Sequence, residues 1–217
     1  MTALVRPYAP TDRAAVMKIA ADTAFFGDPV EAFMEDRRLQ QDFFIAYYLD
    51  YEPGLAWTAE ADGSVVGYLI GSDGSAKAGR PKATVVLRAA RRLLGGRYRL
   101  GPLTRRYALN ATRAVARGEY PSADKRLYPA ELHINLSAAA RGFGLGWRLL
   151  DACLDQMTAL RVPGIHLNTT SRNAAALRLY EKAGFEVLAR RRSTVWEPWL
   201  PGVEVENLLL GKRLTGS

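Results

Sequence analysis

The chain has 217 residues but only one cysteine, Cys153, and two histidines, His133 and His166. A lone thiol closes no internal disulfide and builds no structural zinc site, so no metal is expected. Its setting, Leu149-Leu150-Asp151-Ala152-Cys153-Leu154, places it on the apolar stripe of a helix, as a buried small residue rather than a reactive one. Also missing is any apolar run of the roughly 18–20 residues that a bilayer crossing needs. The start, Met1-Thr2-Ala3-Leu4-Val5-Arg6-Pro7, lacks the charged-then-apolar layout of an export signal, and a cytoplasmic protein without a membrane partner is expected. No internal repeat and no low-complexity tract is present. Hydrophobic residues at 48% and charged residues at 24% are ordinary for a globular fold. The length suits one large core better than two, so residues 1–217 are expected to form a single domain.

Acidic residues are scarce in one stretch. Residues 73–127 hold 14 of the 30 Lys+Arg and three acids, a net charge of +11 that leaves −3 for the rest of a chain at +8 overall. The basicity therefore belongs to one segment. Two basic helices are expected there, at about 82–94 and 103–117, separated by Gly95-Gly96 and ending before Pro121; together they form an insertion at about 75–127.

Around it the pattern is regular. A strand at Leu4–Pro7 precedes a helix opened by Thr11-Asp12, whose side chains accept from first-turn amides. A second helix is expected near Glu35–Tyr51. Leu55–Glu60 and Val65–Ile70 flank Ala61-Asp62-Gly63, a hairpin signal. After Pro129 come a strand at Glu131–Leu136, a glycine-rich turn at Arg141–Gly146 and a helix with Leu149, Leu150, Cys153, Leu154, Met157 and Leu160 at steps of three and four. A short strand at Ile165–Asn168, a helix at Asn173–Ala183 stopped by Gly184, and strands at Phe185–Arg191 and Val203–Leu210 follow. This order implies an α/β fold with a mixed sheet and at least one parallel crossover.

The turn Arg141-Gly142-Phe143-Gly144-Leu145-Gly146 lies between a strand and an amphipathic helix. Glycines let backbone approach a ligand, and a helix start adds about half a positive charge, which suits a pyrophosphate. A dinucleotide loop would want glycine where Trp147 stands, and a nucleoside-triphosphate loop would want Gly-Lys-Ser/Thr, which is absent. By itself the turn is equally a tight connection with glycines for packing. Downstream, Asn173 and Tyr180 are two helical turns apart and are expected on one face. Tyr180 taken alone is equally a half-buried amphipathic residue.

Taken together, Arg141, Gly144 and Gly146, followed by Asn173, Tyr180, Gly184 and Phe185, resemble the two signatures of the GNAT superfamily of N-acetyltransferases, in their order and separation. Tyr128-Pro129-Ala130-Glu131-Leu132-His133-Ile134 is also similar to a stretch of bacterial acetyltransferases related to the acetyltransferase-like domain of animal O-GlcNAc hydrolases. The resemblance implies a mostly antiparallel sheet of about six to seven strands flanked by helices, with a splayed parallel pair at about Glu131–Leu136 and Ile165–Asn168. It implies acetyl-CoA as cosubstrate, its pantetheine in the gap against backbone of Asn135, Leu136 and Ser137. Its pyrophosphate would lie on the amides of Arg141, Gly142, Phe143, Gly144, Leu145 and Gly146, with Asn168 and Asn173 on the cofactor arm and Tyr180 beside the sulfur. The implied reaction is direct attack of an amine on the thioester in a ternary complex, with a small-molecule or peptide amine as acceptor.

Such an amine, with a pKa near 10, needs a proton acceptor. Alternation puts Glu131, His133 and Asn135 on one strand face, and Glu131 is the first candidate base, His133 the second, with water a third. His133 and His166 are also each readable as hydrogen-bonded fold residues. Tyr180 is the candidate proton donor to the thiolate. The insertion, with Arg88, Arg91, Arg92, Arg97, Arg99, Arg105 and Arg106, reads first as a solvated helical cap packed through Val85, Val86, Leu93 and Leu94 on the sheet. The alternatives are contacts to the phosphates of CoA, or a nucleic-acid surface that would make the protein an adaptor, or a fold that binds CoA without turnover. Acceptor specificity is expected from residues 25–50, the insertion and the Arg192–Val203 loop. There Phe25, Phe26, Tyr47, Tyr48, Trp196 and Trp199 are candidates for an acceptor pocket and equally for core. A monomer or a homodimer fits this reading.

Overall fold

The computed structural model describes residues 3–75, 79–140 and 142–214, with the side chains of 79–83 and 86 outside that description. The strands β1 (Ala3–Pro7), β2 (Ala56–Ala61), β3 (Ser64–Ser72), β4 (Ala130–Leu136), β5 (Gly164–Thr170), β6 (Glu186–Arg192) and β7 (Glu206–Arg213) form one sheet in the order β1-β2-β3-β4-β5-β7-β6. β4 and β5 run parallel and the other neighbours antiparallel, which is the mixed GNAT-like sheet the sequence led us to expect. The parallel pair is joined at Ala130↔Ile165 and Glu131↔His166 and then parts.

Period-two alternation gives each face of β4 its own core. Leu132, Ile134 and Leu136 join the cluster under α6 (Leu145–Ala159), with Leu149, Leu150, Cys153 and Met157 almost fully buried. Leu160 falls just past the helix as its C-cap and is 51% exposed, so the stripe is one residue shorter than expected. On the other face Tyr68 and Ile70 of β3 meet Val16 of α1 (Arg13–Asp22) and Tyr48 of α3 (Ala46–Tyr51). The β2–β3 turn follows from Asp62 and Gly63, which take φ of 47° and 76°, the two left-handed residues of a type I′ hairpin.

Two expectations are corrected. The helix over Glu35–Tyr51 is two, α2 (Arg37–Phe44) and α3, because Ile45 leaves helical geometry at φ −119°. Asp36 starts α2 by accepting from the amides of Arg38 and Leu39 at 2.8 and 3.4 Å. Glu35 belongs to a different helix, for its carboxylate accepts from the amides of Leu103 and Thr104, at 2.8 and 2.9 Å, at the start of α5 (Pro102–Ala116). Burial opposes ionisation of Glu35, but the hydroxyl and amide of Thr104 and the amide of Leu103 outweigh it and hold the carboxyl at about 2. The last strand begins at Glu206 rather than at Val203, whose amide donates to the Leu200 carbonyl at 3.1 Å and so closes the turn before it.

The insertion folds as α4 (Gly79–Leu94) and α5. α4 packs on α2 and α3 and, through Val85, joins the buried cluster of Tyr68 and Ile70 on the sheet, as expected of that residue. Val85 and Ala89, one turn apart, are buried, whereas Leu93, a further turn on, and Leu94 are 40% and 88% exposed, so the expected burial does not extend to them. Val86 lies among the side chains outside the description. Several of the arginines serve the fold: Arg88 pairs with Asp50 at 3.1 Å, Arg92 pairs with Asp42, and Arg106 stacks over Trp199.

Candidate functional site

Where β4 and β5 part, the sheet opens into a cleft of about 900 Å³. β4 continues its ladder with β3 as far as Leu136, so its other edge, from Leu132 onward, carries no β5 pairing. Asn135 and Leu136 line the opening. The strand then turns into α6 through Gly142 and Gly144, with φ of 88° and 72°; open space surrounds both where a Cβ would stand. Such angles exclude side chains more firmly than crowding does here. Gly144 is the N-cap residue and offers no side-chain cap to the first amides of α6, and Gly144, Leu145 and Gly146 line the cleft.

Other expected site residues are placed less uniformly. Arg141 lies outside the described residues. The Ser137 amide donates to Val66 and its carbonyl accepts from Ala140, so both backbone groups are engaged within the fold. Phe143 is exposed and stands off the cleft wall, and Asn168 pairs on β5 opposite Leu209 and is also off that wall. Asn173 lines the cleft as the N-cap of α7 (Ala174–Lys182), whereas Tyr180 is 4% exposed and packed on Phe185 at 5.8 Å. Asn173 starts that helix, its carbonyl accepting from the Leu177 amide at 2.9 Å. The Tyr180 hydroxyl makes no hydrogen bond to any described residue, and burial pushes its ionisation upward.

His133 stands on the cleft wall, while Glu131 lies where β4 and β5 are still paired. Tyr48 connects them: its hydroxyl donates to Glu131 Oε1 at 3.1 Å and lies 3.2 Å from His133 Nε2. Behind Glu131 sit Lys125 Nζ at 3.7 Å and His166 Nε2 at 3.8 Å. His166 is 3% exposed, and burial, then Lys125, depress its pKa. It is a fold residue beneath the strand pair. Cys153 is fully buried with its thiol pushed up to about 12, which removes it as an acyl carrier.

The sequence left several lining residues unmarked. Thr169, Thr170 and Arg172 enter because β5 runs on past its contact with β4, and their residue types carried no motif. Gln40, Phe33, Phe44 and Tyr107 join Phe26 and Trp196 on the far wall, and their aromatic content was the usable signal. Tyr47 and Tyr48 belong to the α3 core instead.

Residues 113–185, from the last turn of α5 to Phe185, match the model of the acetyltransferase (GNAT) family. The crystal structure of SsHAT is 27% identical, covers 100% of both chains and superposes with a TM-score of 0.74. Ribosomal-protein-alanine N-acetyltransferase from Brucella melitensis, at 19% identity, covers 97% of this chain and 99% of its own, with a TM-score of 0.58. The GNAT superfamily phosphinothricin acetyltransferase from Sinorhizobium meliloti, solved with acetyl-CoA, is 18% identical and covers 99% of this chain and 89% of its own at 0.58. The last two likenesses are of fold.

Proposed function

This chain is a GNAT-fold protein, and from that premise we propose that it is an N-acetyltransferase moving an acetyl group from acetyl-CoA to an amine. The observation that carries the reading is the open edge of β4, which leads directly to the uncapped start of α6 behind two left-handed glycines. An open strand edge offers backbone partners to the amides of pantetheine, as in strand addition. The helix start offers N–H groups and partial positive charge to a pyrophosphate, and Arg172, Arg178 and Lys182 of the same cleft add charge of the right sign. Asn135 and Leu136 are the strand residues in this role, Gly142 to Gly146 the phosphate cradle, and Asn173 the contact to the cofactor arm.

Transfer joins the amine nitrogen to the acetyl carbon and breaks the carbon–sulfur bond. A proton leaves the amine and one is gained by the thiolate. His133 receives the amine proton. Because the Tyr48 hydrogen is given to Glu131, the Tyr48 oxygen accepts from His133 Nε2–H. Glu131 thus acts through Tyr48, holding the imidazole in one tautomer. Tyr180, a buried phenol kept protonated, donates to the departing thiolate. The test is a calorimetric titration with acetyl-CoA, followed by an assay of CoA release in the presence of amines. Saturable binding is expected, and a folded protein without affinity for acetyl-CoA or CoA overturns the reading.

A further inference from the structure

The far wall of the cleft has a chemistry of its own. Trp196 stands at its centre, with ring centroids of Phe26 at 5.0 Å, Phe33 at 5.4 Å and Tyr107 at 5.6 Å. Phe44 lines the same space with 47% of its surface exposed, an apolar ring that the fold does not cover. Gln40, 7% exposed, lines it too, and its Oε1 has no hydrogen-bond partner among the described residues. A buried amide oxygen without a donor is costly unless a ligand supplies one. Phe26 adds a second sign, for it holds φ 54°, a left-handed angle that a bulky side chain rarely takes, beside Gly27 at 102°. The short Phe25↔Asp28 bridge closes this turn and keeps Phe26 at its tip against Trp196. Core filling alone does not require an aromatic residue in that conformation.

Charge completes the argument. Among the described residues that line the cleft there is no carboxylate; Arg172, Arg178 and Lys182 are its permanent charges, and they lie on α7 and the loop before it rather than on the aromatic wall. A polycation would meet no anion here, and an acidic amine would find no cation beside the aromatic rings.

We propose that this wall binds the acceptor, and that the acceptor is a primary amine on an uncharged aromatic or apolar body. Its ring packs among Phe26, Phe44 and Trp196, and its nitrogen donates to the Gln40 amide oxygen on the way to His133. The chemistry rests on the transferase reading above, whereas the binding does not.

The test titrates phenylethylamine, spermidine and glutamate into the full chain by calorimetry, with and without CoA, and compares their rates of acetylation. Phenylethylamine is expected to bind saturably, and to exceed spermidine and glutamate in kcat/KM by about tenfold or more, the worth of one well-packed ring. Phe26→Gly removes the ring yet suits the left-handed angle, so it should fold as well as the parent. It should weaken phenylethylamine about tenfold with acetyl-CoA affinity unchanged. Preference for spermidine or glutamate, no binding of phenylethylamine, or parent-like binding by Phe26→Gly overturns the proposal. Loss of acetyl-CoA binding alone would sink the transferase reading, and phenylethylamine binding to the free chain would still decide this one.

Discussion

Glu119 grips Thr194 across the molecule: its carboxylate accepts from the Thr194 amide at 2.7 Å and from the Thr194 hydroxyl at 2.9 Å. Glu119 is 7% exposed and follows α5, while Thr194 leads into the segment that carries Trp196. The insertion therefore fixes one wall of the cleft. Glu119→Ala leaves the Thr194 amide unpaired and should cost about 1–3 kcal/mol in urea unfolding. It should also raise KM for the amine more than KM for acetyl-CoA, because only the aromatic wall is loosened. Equal effects on both constants would count against this division.

Tyr48→Phe tests the chain from His133 to Glu131. The ring and its packing stay, but the bond to Glu131 and the contact with His133 Nε2 are lost. Turnover near neutral pH is expected to fall, toward the lower end of the about 10²–10⁴-fold typical of acid–base groups, with acetyl-CoA affinity unchanged. Glu131→Gln should act in the same direction and His133→Gln more strongly, since Glu131 works through its neighbours. An unchanged pH–rate profile in Glu131→Gln would remove it from the mechanism.

Tyr180→Phe tests the proposed proton donor. Since the hydroxyl bonds to no described residue, its removal should leave stability within about 0.5 kcal/mol. Turnover should nevertheless fall, again near the lower end of the about 10²–10⁴-fold range, because a thiolate with a pKa near 8.5 needs only moderate help. Undiminished turnover would assign Tyr180 to packing against Phe185 alone.

Much of this site was legible because it rests on short-range rules. Alternation placed Glu131, His133 and Asn135 on one face, Asp62-Gly63 specified its turn, and the glycines before Trp147 marked a helix start with open amides. What escaped rests on contacts between distant parts of the chain. Glu35 reads as a helix residue until Thr104, 69 positions later, is seen to need its carboxylate. Tyr48 was an aromatic residue in a helical stretch, and only the fold brings it to Glu131, 83 residues on. Val203 looked like strand from its β-branched type, a preference that tertiary pairing overrides readily. The aromatic wall was visible as aromatic content at Phe26 and Trp196, but its partners Phe33 and Tyr107 come from segments with no shared pattern.

His166 gives a dependence on pH that is separate from catalysis. Burial and Lys125, 3.1 Å from Nε2, depress its pKa in the fold, against an opposing pull from Glu131. The unfolded chain holds a histidine near 6.5 and so binds the proton more tightly than the folded one. Stability is therefore fully present above about pH 6.5 and declines as the pH falls from there through the lowered folded value. Thermal unfolding followed from pH 7.5 to 5 should show the parent losing stability with acid more steeply than His166→Gln, whose side chain does not titrate. Parallel curves for the two proteins would show that the imidazole beneath the strand pair is not the group responsible.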